Sequence, residues 1–139
     1  MPLKLEIVTP ERAVFSDTVD HVVLPTQSGG EIDVLPGHVP LMAMIEPGEL
    51  TYFKGGKHES IAVDRGFIEV VNDTVNILTE AAIEVSAIDS TVVETARKRA
   101  EEALAAAKAS GEDPTVLEEL ETKARFAVVQ KLIRERRSR

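Results

Sequence analysis

Few residues of this chain have chemistry to offer. The candidates are three histidines, His21, His38 and His58, and a close pair of carboxylates, Glu31 and Asp33. A metal centre needs several N, S or O donors converging on one point, which sequences announce by characteristic spacings. Here cysteine is absent and the histidines fall in different strand-like or turn segments, so no metal site is expected. His38 stands between Pro36 and Pro40, where its ring nitrogens are expected to be satisfied within the bend itself. Glu31 and Asp33, at i and i+2, share one strand face. Acid–base catalysis can use such a pair, but strands that simply face water carry it too. Neither G-x-x-x-x-G-K-S/T nor G-x-G-x-x-G occurs, and Ser28-Gly29-Gly30 reads only as a turn. The chain is therefore expected to catalyse nothing by itself and to carry no cofactor.

What positions these residues is a corner, the stretch from Gly29 to Leu41. Pro36 fixes φ and removes a backbone donor, while Gly37 can take the positive φ that a sharp reversal needs. Pro40 pushes Val39 away from helical geometry. The segment reads as a strand, a rigid bend and a second strand.

Up to about Ile88 the apolar residues repeat with period two, interrupted by turn residues. Leu3, Leu5 and Ile7 open a strand, and Val19–Leu24 forms another that ends at Pro25. Leu50–Lys54 and His58–Val63 flank Gly55-Gly56, and Gly66–Val71 and Thr74–Leu78 flank Asn72-Asp73, two hairpin patterns. Many short strands with no helix between them indicate a β-sandwich or flattened barrel. At Asp89 the period changes. Ser90–Lys108 is rich in helix formers, with Asp89 or Thr91 (backed by Glu94) as competing N-caps. Val92, Ala96, Ala100, Ala103 and Ala107 make one narrow face of small side chains. Gly111 suits the C-cap, and Asp113-Pro114 starts a second helix. There Leu117, Leu120, Ala124 and Val128 form the matching stripe, broadened by Phe126, Val129 and Ile133. The fold class is α+β: a β-sandwich over residues 1–86 and a two-helix antiparallel hairpin over residues 87–139. An alanine face gains little from burial, so the hairpin is either a stable pair or a mobile element.

An apolar share of 43% and a charged share of 29% fit a soluble globular protein, and with aromatics at 4% the core must be aliphatic. No run approaches the ~20 apolar residues that span a bilayer, and Met1–Glu6 lacks a signal-peptide core, so membrane association is expected only through a partner. Residues 1–88 hold 14 acidic and 5 basic side chains (−9), whereas residues 89–139 hold 10 and 11 (+1). Lys123, Arg125, Lys131, Arg134, Arg136, Arg137 and Arg139 then face Glu135 alone at the C-terminal end. These cations suit an acidic partner surface or the negative end of a helix dipole. Nucleic acid is disfavoured, because the acidic remainder repels phosphates.

Leu35-Pro36-Gly37-His38-Val39-Pro40-Leu41 preceded by Gly30-Glu31-Ile32 resembles the signature of the epsilon subunit (delta in mitochondria) of F-type rotary ATP synthases. Val8-Thr9-Pro10, Asp64–Val70 with Val75–Leu78, and Ala81-Ala82-Ile83 before the helices resemble further family elements, so the likeness runs almost the whole length. It implies a sandwich that binds the gamma subunit and the c-subunit ring, with Glu31, Leu35, Pro36, Gly37, His38 and Pro40 as the rotor-binding corner. It also implies a hairpin that inhibits ATP hydrolysis when extended. The inhibitory contact would come from Lys123, Arg125, Lys131, Arg134, Arg136 and Arg137, meeting the alpha/beta head at an acidic beta-subunit surface. The protein would then sit peripherally at the cytoplasmic face of the bacterial plasma membrane. Some relatives bind ATP through Ile/Leu-Asp-x-x-Arg-Ala. Ile88 and Asp89 match that motif, and Arg99 matches a further arginine, but Val92 and Val93 replace Arg and Ala. A valine cannot supply the guanidinium's contacts, so weak or absent ATP binding is expected.

Overall fold

Leu3, Leu5 and Ile7 are fully buried while Lys4, Glu6 and Val8 face outward, which makes the N-terminal alternation a half-buried strand, β1 (Leu3–Val8). The same logic repeats through β2 (Ala13–Val19), β3 (His21–Thr26), β4 (Gly30–Val34), β5 (Leu41–Ile45), β6 (Gly48–Lys54), β7 (Lys57–Val63), β8 (Gly66–Val71), β9 (Thr74–Thr79) and β10 (Ala82–Glu84). A short 3₁₀ turn, Val85–Ala87, precedes α1 (Ser90–Ala109) and α2 (Pro114–Arg137). The structure is a computed structural model that describes residues 2–27 and 30–137, the side chain of Arg137 excepted. The Ser28-Gly29 part of the expected turn thus lies outside the described residues. The chain divides into two units, residues 1–86 and residues 87–139.

The first unit is a sandwich of two five-stranded sheets, ordered β2-β1-β9-β8-β5 and β10-β7-β6-β3-β4. Neighbours pair antiparallel except β1 and β9, which run parallel. The inward residues are almost all aliphatic, with Leu24, Leu50, Ile61, Ile68 and Ile77 among those with no exposed surface. Both hairpins form where their turn residues place them. Gly55 and Gly56 take φ of 59° and 77°, and Asn72 and Asp73 take 50° and 58°, the paired positive φ of a type I′ turn.

One strand runs further than expected. β3 continues through Pro25 to Thr26. Its pairing with β6 covers only His21–Val23, so the amide that proline lacks is not needed on that side. Gly48 passes so near that an added Cβ would lie 2.8 Å from Pro25 Cγ.

The second unit is an antiparallel helical hairpin. The Asp89 carboxylate, not Thr91, caps α1, accepting from the N–H groups of Thr91 (2.9 Å) and Val92 (3.1 Å). Gly111, at φ 69°, ends α1: its N–H donates to Lys108 O (3.3 Å) and that of Glu112 to Ala107 O (3.1 Å), a Schellman pattern. Asp113 caps α2 through the Thr115 N–H at 2.8 Å. The face of α1 is rotated from the predicted one, whereas that of α2 lies where it is expected. Val92, Ala96 and Ala103 are exposed, and the inward positions of α1 are Val93, Arg97, Ala100, Leu104 and Ala107. Those of α2 are Leu117, Leu120, Ala124 and Ala127, with Val128 beside them, and the expected broadening residues are inward too, Ile133 buried and Phe126 and Val129 half-buried. Both series alternate steps of three and four, the spacing of two helices crossing at a shallow angle. Alanines at both phases left the sequence pattern unable to choose between them.

Across the hairpin Lys131 Nζ lies 3.0 Å from Glu94 Oε2, and Lys108 Nζ lies 3.8 Å from Glu121 Oε1. Arg97 donates to Glu94 within α1 and to Glu101 at 2.9 Å. Arg97 first, and Lys131 second, hold the Glu94 carboxyl down at about 2, against an ordinary value of 4.5. A depressed folded-state value contributes stability that is complete above about 4.5 and lost as pH falls toward about 2.

Two outcomes follow for the fold. A Cβ at Gly66 would lie 1.9 Å from Leu78 O, so Gly66→Ala should lower the unfolding free energy by roughly 1–3 kcal/mol in a urea titration. Glu94→Gln should destabilise the hairpin at neutral pH but leave it no different from the parent near pH 2, as followed by helical circular dichroism.

Candidate interaction interface

β4 is the edge strand of one sheet and β5 the edge strand of the other, so residues 35–40 carry the chain between layers at one side of the sandwich. Leu35 O accepts the His38 N–H at 3.1 Å, closing a β-turn with Pro36 and Gly37 at its centre. Gly37 has φ 83°, which with proline before it makes a type II turn, as its sequence predicts. The Gly37 N–H donates to Asp73 Oδ1 at 2.6 Å, which ties the corner to the β8–β9 turn. Asp73 O in turn accepts the Lys4 N–H at 2.8 Å. The ring of His38 is used inside the corner, Nδ1 lying 2.7 Å from Val39 O.

The rest of the corner is offered to solvent: Leu35, Pro36, Gly37 and Pro40 are exposed, and Val39 is 70% exposed. Glu31 and Asp33 both point outward from β4, but Asp33 is engaged by His21, with Nδ1 2.8 Å from Oδ1. His21 also stacks on Phe53 at 4.2 Å. Asp33 therefore helps to brace a strand face. Among the described residues no three His, Asp or Glu side chains are placed to hold a metal ion.

A second feature had not been foreseen. In register across four strands lie Met44, Phe67, Leu78 and Val8. All four are partly exposed on the outer face of the β2-β1-β9-β8-β5 sheet, with Met42 (69% exposed) and Val71 further along the same face. The row borders a shallow hollow of about 560 Å³ that Arg65, Gly66 and Glu80 also line. The available signal was local doubling of apolar residues: Ile7-Val8, Phe67-Ile68 and Ile77-Leu78 put an apolar side chain on both faces, as does all-apolar β5. A strand with one wet face would alternate instead.

The basic residues of α2 do not form one patch. At about 100° per residue, Arg125 and Arg136 share one side of the helix, while Lys123, Lys131 and Arg134 fall within about 80° of each other on another. Lys123, Arg125 and Arg136 are exposed, Arg134 is half-buried, and Lys131 is held by Glu94. The side chain of Arg137 lies outside the described residues. The candidate nucleotide residues are not brought together either. Ile88 is buried, the Asp89 carboxylate is spent on capping, and Arg99 stands about 15 Å further along the helix.

The family model of the ATP synthase delta/epsilon chain β-sandwich domain matches residues 2–85. The ATP synthase epsilon chain of Herpetosiphon aurantiacus is 44% identical over 104 residues, 75% of this chain and 76% of that one. That of Syntrophobacter fumaroxidans is 46% identical over 106 residues, 76% and 78% of the two chains. In fold, the chain is similar to a chain of the Euglena gracilis mitochondrial ATP synthase structure of OSCP, F1 and c-ring, with a TM-score of 0.72 at 23% identity, covering 94% of this chain and 80% of that one. A Tetrahymena thermophila mitochondrial ATP synthase central stalk and c-ring structure gives 0.53 at 11% identity, covering 63% and 69%. The corner motif, the sandwich it closes and the epsilon chains that align with three-quarters of the sequence all lead to one assignment: this chain belongs to the delta/epsilon chain family of ATP synthases.

Proposed function

We propose that this chain is a non-catalytic central-stalk subunit that fastens the rotor and restrains ATP hydrolysis by the head of its synthase. The observation that carries the rotor contact is the Met44–Phe67–Leu78–Val8 row. A contiguous apolar strip on a face otherwise free to be polar marks a protein-binding surface. The gamma subunit is the partner proposed for that strip. The corner of Glu31, Leu35, Pro36, Gly37, His38 and Pro40 is proposed to meet the c-subunit ring. Its type II turn and its bond to Asp73 hold Leu35 and Val39 outward without help from a partner, so little ordering is left for binding.

The restraint is assigned to α2. Its exposed cations, Lys123, Arg125 and Arg136, belong to a basic end that suits an acidic surface of the beta subunit in the alpha/beta head. Surface charges are screened beyond ~8 Å at physiological salt, so this contact requires close docking. No described helix is long and apolar enough to cross a membrane. In this reading the chain is peripheral at the cytoplasmic face of a bacterial plasma membrane, held there by the complex.

The rotor contact is tested by Phe67→Asp, which adds a charge at the centre of the strip without touching the inward core. The variant should keep its circular dichroism and urea midpoint while losing at least tenfold in affinity for the isolated gamma subunit and c-ring, since desolvating an unpaired charge in an interface is costly. Undiminished affinity would contradict the assignment.

A further inference from the structure

Side chains that mild oxidants attack are scarce in this chain and unevenly placed. It has no cysteine and no tryptophan, and its three methionines are Met1, Met42 and Met44. Met1 lies outside the described residues. Met42 and Met44 stand two apart on β5, so both project from the same face of the sheet, and they are 69% and 53% exposed. The alternate residues of β5 belong to the other face, Ile45 in the core with Leu41 and Ala43 packed against it. Across the ladder Met44 is opposite Phe67 and Met42 opposite Glu69. The other exposed apolar residues of this outer face, Val8, Phe67, Val71 and Leu78, are hydrocarbons that a mild peroxide leaves intact. Met42 and Met44 are thus the members of the strip whose polarity an oxidant can change.

Hydrogen peroxide converts a thioether to a sulfoxide in one two-electron step. A sulfur lone pair takes one oxygen, the O–O bond breaks, and the other oxygen leaves as water. Sulfur is oxidised and the peroxide reduced, at a rate that follows exposure. The strand itself does not depend on sulfur. β5 is held by its ladder to β8 and by the Gln27 N–H, which donates to Met44 O at 3.0 Å. Docking is another matter. A thioether adapts to an apolar contact and asks for no hydrogen bond. A sulfoxide oxygen buried by the same contact requires a donor, and without one its desolvation opposes binding.

We propose that Met42 and Met44 are a peroxide-sensitive modification site, and that their conversion to sulfoxides in the free chain blocks docking of a protein on the apolar strip. The effect on docking rests on the strip being the gamma contact, whereas the reactivity of the two sulfurs does not. The block is reversible: methionine sulfoxide reductases working with a dithiol return the thioether and release water and a disulfide. A docked partner covers the strip, so the modification acts on the chain before assembly.

The full chain is treated alone with hydrogen peroxide at neutral pH, freed of the oxidant and mapped by peptide mass spectrometry. Met42 and Met44 should each gain one oxygen at rates within about threefold of a methionine in an unstructured peptide. The oxidised chain should keep its circular dichroism and urea midpoint but bind the isolated gamma subunit roughly tenfold more weakly. Both methionine sulfoxide reductases with a dithiol should restore binding. Met42→Leu with Met44→Leu, compared with itself before and after peroxide, should show no change. Slow oxidation of both sulfurs, a loss of affinity that comes with unfolding, or an equal loss in the leucine variant would overturn the proposal. Sulfoxides formed with affinity retained would overturn the block on docking, and Phe67→Asp then separates the causes. Weakened binding in that variant keeps the strip as the gamma contact, whereas retained binding removes that reading too.

Discussion

The surface that this sandwich presents depends on one crossing. The chain must leave the edge of one sheet and enter the edge of the other within residues 35–40, and it does so through a turn closed by Leu35 and His38. Proline restricts the first central position and glycine alone takes the second without strain. The Asp73 carboxylate then accepts the Gly37 N–H, so the tip of a hairpin in the opposite sheet anchors the corner. Asp73 itself sits at positive φ because its type I′ turn demands it. The corner, the β8–β9 hairpin and the start of β1 are thus one connected assembly, held by two hydrogen bonds to a single residue. Where the corner goes, β5 follows, and with it Met42 and Met44.

The apolar row is a consequence of that placement. β5 pairs with β8 in a register that sets Met44 opposite Phe67, and β8 and β9 set Phe67 opposite Leu78. Slipping any strand by one residue would send these side chains into the core and turn buried ones out. The inward leucines, isoleucines and valines therefore fix the outer row as firmly as they fix themselves. The hairpin works on the opposite economy. Its seam combines alanines with a few larger residues, Val93 and Ile133 among the buried ones, each buried methylene being worth about 0.8 kcal/mol.

Much of this was legible in the sequence wherever the determinant was local. Gly37 after Pro36, Gly55-Gly56, Asn72-Asp73, Gly111 and Asp113-Pro114 each specify a backbone geometry within a few residues, and the structure forms every one of them. Features that depend on distant neighbours were harder to see. Pro25 stays inside β3 because β6 does not pair that far, which no local pattern reveals. The phase of the helical seam was ambiguous because alanine fits either side. The apolar row needed the register of four strands, of which only the doubled apolar residues gave a hint. The corner residues were found as a turn but not as a structure fastened by Asp73, 36 residues away.

The central claim is that the two units divide the work, the sandwich anchoring and the hairpin restraining. The most direct measurement is ATP hydrolysis by the cognate catalytic complex, assembled either with the full chain or with one that ends at Ser86. The account predicts that both are incorporated and that the full chain inhibits the more strongly. Equal rates with both incorporated would contradict a restraining role for residues 87–139, and failure of the shorter chain to assemble would contradict anchoring by the sandwich.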